Sequence, residues 1–216
     1  MATRSVGAFL ASALVGALLA TIAGAPAQAA TREDTCFGEK FTIKGKPGQT
    51  VLGTPAADVI LGGGRVEAGA GDDLVCDADY VFGGPGADRI RMLDGGTARG
   101  NGGDDEFISL TTTSPTALGP TLIGGPGDDV FWGSPLGEKV LAGSGADVAR
   151  TGGGDDVVDL GSGDDLGYGG PDADTFTAGT GDDDIDGGSG ADVVDGGPDA
   201  DTCLDVETRT SCARVR

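Results

Sequence analysis

From Gly124 to Leu204 the sequence keeps a nine-residue phase without a gap. The first unit reads Gly124-Gly125-Pro126-Gly127-Asp128-Asp129-Val130-Phe131-Trp132, and eight more follow in register, from Gly133 to the last unit at Gly196. The sixth position is Asp in eight of the nine units and Glu138 in the other; the second is Gly in eight and Ser134 in the other. A sustained short period means that each unit is one supersecondary element, able to bury its apolar side only by stacking on its neighbours.

The unit divides into two parts. Gly-Gly-x-Gly-x-Asp is turn chemistry, because Gly reaches positive φ without a steric penalty. The following x-U-x triplet is a short strand whose middle side chain points inward while its flanks point outward. The inward set then includes Phe131, Val140, Val158, Phe176, Ile185 and Val194. Two units make one coil with a turn on each edge, so turns eighteen residues apart stack on the same edge. One edge carries Asp129, Asp147, Asp165, Asp183 and Asp201, and the other Glu138, Asp156, Asp174 and Asp192. Upstream, related units begin at Gly53, Ala68, Gly83 and Gly100 with short pieces between them. Their acids, Asp58, Asp73, Asp88 and Asp105, continue the Asp129 edge, opposite shortened turns that lack Asp. Ser109 to Ile123 reads as an excursion loop. The fold expected over 53–204 is all-β, a right-handed parallel β-roll (β-solenoid) of Gly/Asp-rich nonapeptide repeats.

Carboxylates repeated in register repel one another unless a cation lies between them. The formal charge is −21 with no His, aromatics are 5 % of residues, and 43 residues are Gly. Such a composition reads as disordered unless bound cations neutralise charge and supply folding energy together. Calcium (Ca2+) suits the pattern, since it takes six to eight oxygens in flexible geometry, whereas magnesium demands a compact octahedron. The fifth-position acids Asp72, Asp104, Asp128 and Asp164 read as solvated. Asp172 and Asp199 replace the fourth-position Gly, and Leu136 and Glu138 mark the Gly133 unit as degenerate. Gly167 at an inward position predicts a packing defect. Trp132 and Tyr168, at ninth positions, read as exposed aromatics.

The repeated phase resembles the hemolysin-type calcium-binding (RTX nonapeptide repeat) family, whose motif is G-G-x-G-x-D-x-U-x. The resemblance covers Gly53 to Leu204 and implies that sixth-position Asp side chains from two turns, with turn carbonyls, hold each calcium ion. The ends are similar to those of exported calcium-binding repeat proteins of high-GC Gram-positive bacteria. There a Cys precedes the first GTP-type repeat, as Cys36 does, and a segment such as Asp201-Thr202-Cys203, Glu207 and Cys212 closes the array.

The remaining segments bear on compartment and partners. Arg4, the apolar stretch Val6 to Ile22 and the motif Ala27-Gln28-Ala29 read as a cleaved signal peptide over 1–29. Residues 30–52 are an N-terminal cap segment and 205–216 a C-terminal cap. Four cysteines in an exported chain favour disulfides, and without His the spacing fits no common zinc site. Three connectivities are open; Cys36–Cys76 and Cys203–Cys212 is preferred because each pair brackets one end of the repeats. The acidic balance argues against nucleic acid and anionic membranes as partners. With no His and no G-x-S-x-G or H-E-x-x-H motif, an enzyme is not expected, and an Asp-only hydrolase is a remote alternative. The expected function is secreted calcium binding. The nearest alternative is a cell-surface, adhesin-type module with a cell-envelope partner.

Overall fold

The nine-residue units stack two to a coil, and the strands they contribute line up as two parallel sheets. A computed structural model describes residues 35–93, 95–110 and 119–214. The expected signal peptide and residues 111–118 lie outside the described residues. One sheet has 11 strands, the other 10, and each joins alternate strands of the chain, so the backbone passes between sheets twice per coil. Val130–Trp132 pairs with Val148–Arg150 in the first sheet, and Lys139–Ser144 with Val157–Ser162 in the second. Among the described residues there is no helix. The architecture is a parallel β-roll, as the period predicts.

Inward and outward positions follow the pleat. Phe131, Val140, Val158, Phe176, Ile185 and Val194 are each 1 % exposed or less, while Trp132 and Tyr168 are 41 % and 38 % exposed. Arg150 lies over both of those rings on the outer surface, 5.1 Å from the Trp132 centroid and 4.7 Å from that of Tyr168. Inside, the rings of Phe107 and Phe131 stack with centroids 4.8 Å apart.

Several strands are longer than the expected triplets. Lys139–Ser144, Val157–Ser162 and Thr175–Thr180 run from position seven of one unit to position three of the next. The parallel register persists through the glycines, as in Gly143↔Gly161, although Gly143 has φ +124° and Gly145 φ +135°. A second side chain per strand therefore faces in, at position one, and Ala142, Leu160 and Ala178 are fully buried there. Gly167 leaves no packing defect: a Cβ on it would stand 2.8 Å from Phe176 Cε1, so that ring already fills the space.

The roll extends beyond both expected limits. Ile43–Lys44 pairs with the strand at Val59, and Thr50–Leu52 with the strand at Arg65, so the first coil begins ahead of Gly53. A short hairpin, Thr35–Cys36 with Glu39–Lys40, precedes it and is tied by a Cys36–Cys76 disulfide, with Cα atoms 5.9 Å apart. At the other end Thr208–Thr210 and Cys212–Arg214 add one more coil, joined by Cys203–Cys212 at a Cα distance of 5.8 Å. The tail thus continues the stack. Arg209 pairs with Val194 and so takes an inward register position, yet is exposed. A charge at an inward position is one way to end a sheet. The excursion is shorter than expected, because Ser109 closes the strand Glu106–Ser109 and Thr121–Ile123 open the strand Thr121–Pro126.

The inward register predicts a contrast between neighbours. Phe131→Ala removes a fully buried stacked ring and should destabilise the folded protein by about 3–5 kcal/mol. Trp132→Ala removes an exposed cation–π contact worth under about 1 kcal/mol. Thermal denaturation of both variants measures the difference, and equal losses would show that the register is wrong.

Candidate metal centre

Every sixth-position acid sits where its turn enters a strand, and successive acids on one edge are joined by a repeated hydrogen bond. The Asp147 N–H donates to Asp165 Oδ1 at 2.7 Å, and the Asp165 N–H to Asp183 Oδ1 at 2.9 Å. Upstream the same bond links Asp58 to Asp73, Asp73 to Asp88, Asp88 to Asp105 and Asp105 to Asp129. It continues through Asp147 and Asp183 to Asp201. The irregular N-terminal units therefore share the Asp129 edge, in one unbroken ladder. The second edge runs Glu138, Asp156, Asp174, Asp192 and then Glu207, which accepts the Asp192 N–H at 2.8 Å. In every step the carboxylate of the later coil receives the amide of the earlier one.

Only one oxygen of each acid is used. Oδ2 of Asp73, Asp88, Asp105, Asp129, Asp147, Asp156, Asp165, Asp174, Asp183, Asp192 and Asp201, and Oε2 of Glu138, are buried without a hydrogen-bond partner. A buried carboxylate oxygen with no partner is expensive. Its recurrence at the same atom in turn after turn is a property of the repeat. Glycine at position one leaves room for this oxygen in some turns: a Cβ on Gly124 would collide with Asp129 Oδ2 and with the Ala142 carbonyl.

Asp58 stands apart from the others. Its Oδ1 accepts the Thr42 hydroxyl at 3.2 Å, and its Oδ2 accepts both the N–H and the hydroxyl of Thr54, at 2.7 and 2.9 Å. Glu138 Oε1 likewise receives the Ser134 hydroxyl, and that of Ser109 at 3.1 Å. These hydroxyls were not legible as site residues from the repeat, although Thr54 and Ser134 fall where the motif has its second Gly. Glu207 was also missed. Its spacing of fifteen from Asp192 is the spacing of the upstream coils, which was the available signal.

The fifth-position acids are exposed, as expected, but they are not merely solvated. Asp164 Oδ1 accepts the Asp182 N–H at 3.0 Å, and Asp104, Asp128, Asp155 and Asp182 accept equivalent amides. Here the earlier coil's carboxylate accepts from the later coil, opposite in sense to the buried ladder. Asp172 and Asp199, in place of the fourth-position Gly, hold φ at +82° and +91° and so keep the turn's backbone path. Asp is among the non-glycine residues that tolerate positive φ.

At eleven of the ladder acids burial pushes the carboxyl toward the neutral form, and at ten of them the charges of neighbouring acids add to it. The carboxyls of Asp129 and Asp156 are raised to about 8, and those of Asp88 and Asp165 to about 7. Those of Asp73, Asp105, Asp147 and Asp174 are raised to about 6, partly offset by the accepted backbone N–H. Glu138, Asp183 and Asp201 are raised too, with burial the leading cause. Groups held so far from their preferred charge state need either a proton or a cation. Among the described residues no three Asp, Glu or Cys side chains are placed to hold a metal ion by themselves. What recurs is an unpartnered carboxylate oxygen in each of two successive turns, and such hard oxygen donors suit calcium.

Four stretches of the chain, 77–91, 121–135, 137–166 and 168–203, match the family model of the RTX calcium-binding nonapeptide repeat. No curated protein matches the chain.

Two predictions follow from the ladder geometry. Asp165→Ala removes a fully buried carboxylate and leaves the Asp147 N–H without its acceptor, a loss of about 2–3 kcal/mol; Asp164→Ala removes one exposed bond, about 0.5–1 kcal/mol. Chemical denaturation in excess calcium compares the neighbours, and equal losses would contradict a register-specific site. The second prediction concerns pH in a chelator. A carboxyl raised from about 4 unfolded to 6–8 folded contributes stability at low pH that is lost as pH rises through the folded value. Metal-free protein should therefore show more β signal by circular dichroism at pH 5 than at pH 8. With calcium present, protons compete for the same oxygens, so the calcium concentration at half-saturation of the sites should rise as pH falls.

Proposed function

We propose, from the premise that the chain belongs to the RTX calcium-binding nonapeptide repeat family, that it is an exported protein whose coils fold as their turns take up calcium. The observation that carries this reading is the row of buried, unpartnered carboxylate oxygens that runs from Asp73 to Asp201 along one edge and from Glu138 to Asp192 along the other. The acids that would hold the ions are Asp73, Asp88, Asp105, Asp129, Asp147, Asp165, Asp183 and Asp201 on one edge, and Glu138, Asp156, Asp174 and Asp192 on the other. Two successive turns supply carboxylate oxygens, and the rest of a shell of six to eight comes from backbone carbonyls.

Bound calcium supplies the positive charge that lets these carboxylates stay ionised inside the protein. The chain's own part is to present the oxygens at a fixed spacing, to exclude water from them and to hold each acid by its accepted amide. Because the acids are accounted for as ligands, we assign them no catalytic role. Two disulfides support a compartment outside the reducing cytoplasm.

The test is circular dichroism of the exported chain with excess chelator and then with calcium added stepwise. The expected result is little β signal in chelator and a cooperative gain at a midpoint on the order of 10⁻⁴ to 10⁻³ M, the range of extracellular modules. Full β content in chelator at neutral pH would overturn the coupling of folding to the ion.

A further inference from the structure

The two carboxylate ladders begin differently from the way they continue, and both begin in the same way. The first acid of the longer ladder is Asp58, and the first of the shorter is Glu138. Neither has an earlier acid whose backbone amide could occupy its first oxygen. In each case two hydroxyls take up carboxylate oxygens instead. One comes from position two of the acid's own turn, Thr54 for Asp58 and Ser134 for Glu138. The other comes from further back in the chain, Thr42 for Asp58 and Ser109 for Glu138.

Position two is Gly in the other units of the regular block, so a hydroxyl residue there stands out in the sequence. The consequence is clearest at Asp58. It is 7 % exposed and is the one sixth-position Asp whose two oxygens both have partners among the described groups. At Glu138 both hydroxyls fall on Oε1, and Oε2 stays buried and unpartnered. The head of the longer ladder is therefore fully closed, and that of the shorter ladder is closed on one oxygen.

We infer that Thr54 and Ser134 are hydroxyl caps that set where ion binding starts, so that the Asp58 turn takes no calcium and Glu138 offers a single oxygen. Resting on the calcium reading above, the inference adds that one acid matching the motif is not a ligand. A hydroxyl proton and a calcium ion are alternative ways to satisfy a buried carboxylate oxygen, and the turn's second residue selects between them. Sites on the longer edge then begin at Asp73.

The experiment counts bound calcium by native mass spectrometry on the full exported chain, with melting temperature in saturating calcium as a second measurement. Asp58→Asn should leave the count unchanged, whereas Asp88→Asn should lower it by at least one. Thr54→Val keeps the side-chain shape and removes the hydroxyl, so the count should hold while the melting temperature falls by about 2–6 °C. A loss of ions in Asp58→Asn equal to that in Asp88→Asn would overturn the inference, as would an unchanged melting temperature in Thr54→Val. A wild-type count of zero would instead sink the calcium reading, and the Thr54→Val melting temperature would then still decide whether the hydroxyl closes the turn.

Discussion

A backbone amide in one coil and a carboxylate in the next form the bond on which the roll depends. It takes a buried acid for each turn to make it, and it uses only half of that acid. The remaining oxygen is sealed from water between coils. From this follow the need for a proton or a cation, the glycine that keeps the oxygen's space open at Gly124, and the raised carboxyls of Asp129 and Asp156. A hydrophobic core alone does not resolve the conflict. The inward side chains form a narrow file between two sheets, and in places the file narrows to Ala149 or Gly167.

The demand for cations is uneven along the chain. Ion pairs join Arg65 to Glu67, Arg91 to Asp77 and Arg89 to Glu106, all in the N-terminal coils. From Thr151 to Leu204 the sequence holds fifteen acids and no Lys or Arg. Exposed pairs contribute little individually, but they lower the net charge where they occur. Between Thr151 and Leu204 no side-chain cation is present to do so, and both edges carry ladder acids there. The coils with the most repulsion are thus also those with the most unpartnered oxygens facing one another across successive turns.

Much of this could be read before any coordinates. A nine-residue phase fixes which residues stack, and spacings of fifteen and seventeen placed Asp58, Asp73, Asp88 and Asp105 on the Asp129 edge. The alternation of a strand identified Phe131 and Val140 as inward. What could not be read depends on details that the period averages out. Position one faces inward because the parallel register continues through positive-φ glycines such as Gly143, and a turn motif does not announce that its strand persists. Gly167 seemed to leave a gap because the pattern treats each position alone, whereas Phe176 on the opposite sheet fills it. The terminal coils at Ile43 and Thr208 carry no motif at all; they belong to the roll through backbone pairing, which many sequences can satisfy.

The direction of the buried ladder makes the two ends of the stack unequal. Each coil supplies an amide to the coil after it and receives one from the coil before. Removing the first coil would leave a carboxylate short of a donor, a lack that a hydroxyl, a proton or a cation can meet. Removing the last would leave a buried amide short of an acceptor, and no cation can fill that role. At the first end the structure places Thr42 and Thr54 around Asp58. At the last end it places acceptors: Asp201 for the Asp183 amide and Glu207 for the Asp192 amide. The Cys203–Cys212 bridge then ties the Asp201 strand covalently to the final strand. A disulfide ties each end, Cys36–Cys76 at the first and Cys203–Cys212 at the last, and at the last end it holds in place an acceptor for which no ion in solution can substitute.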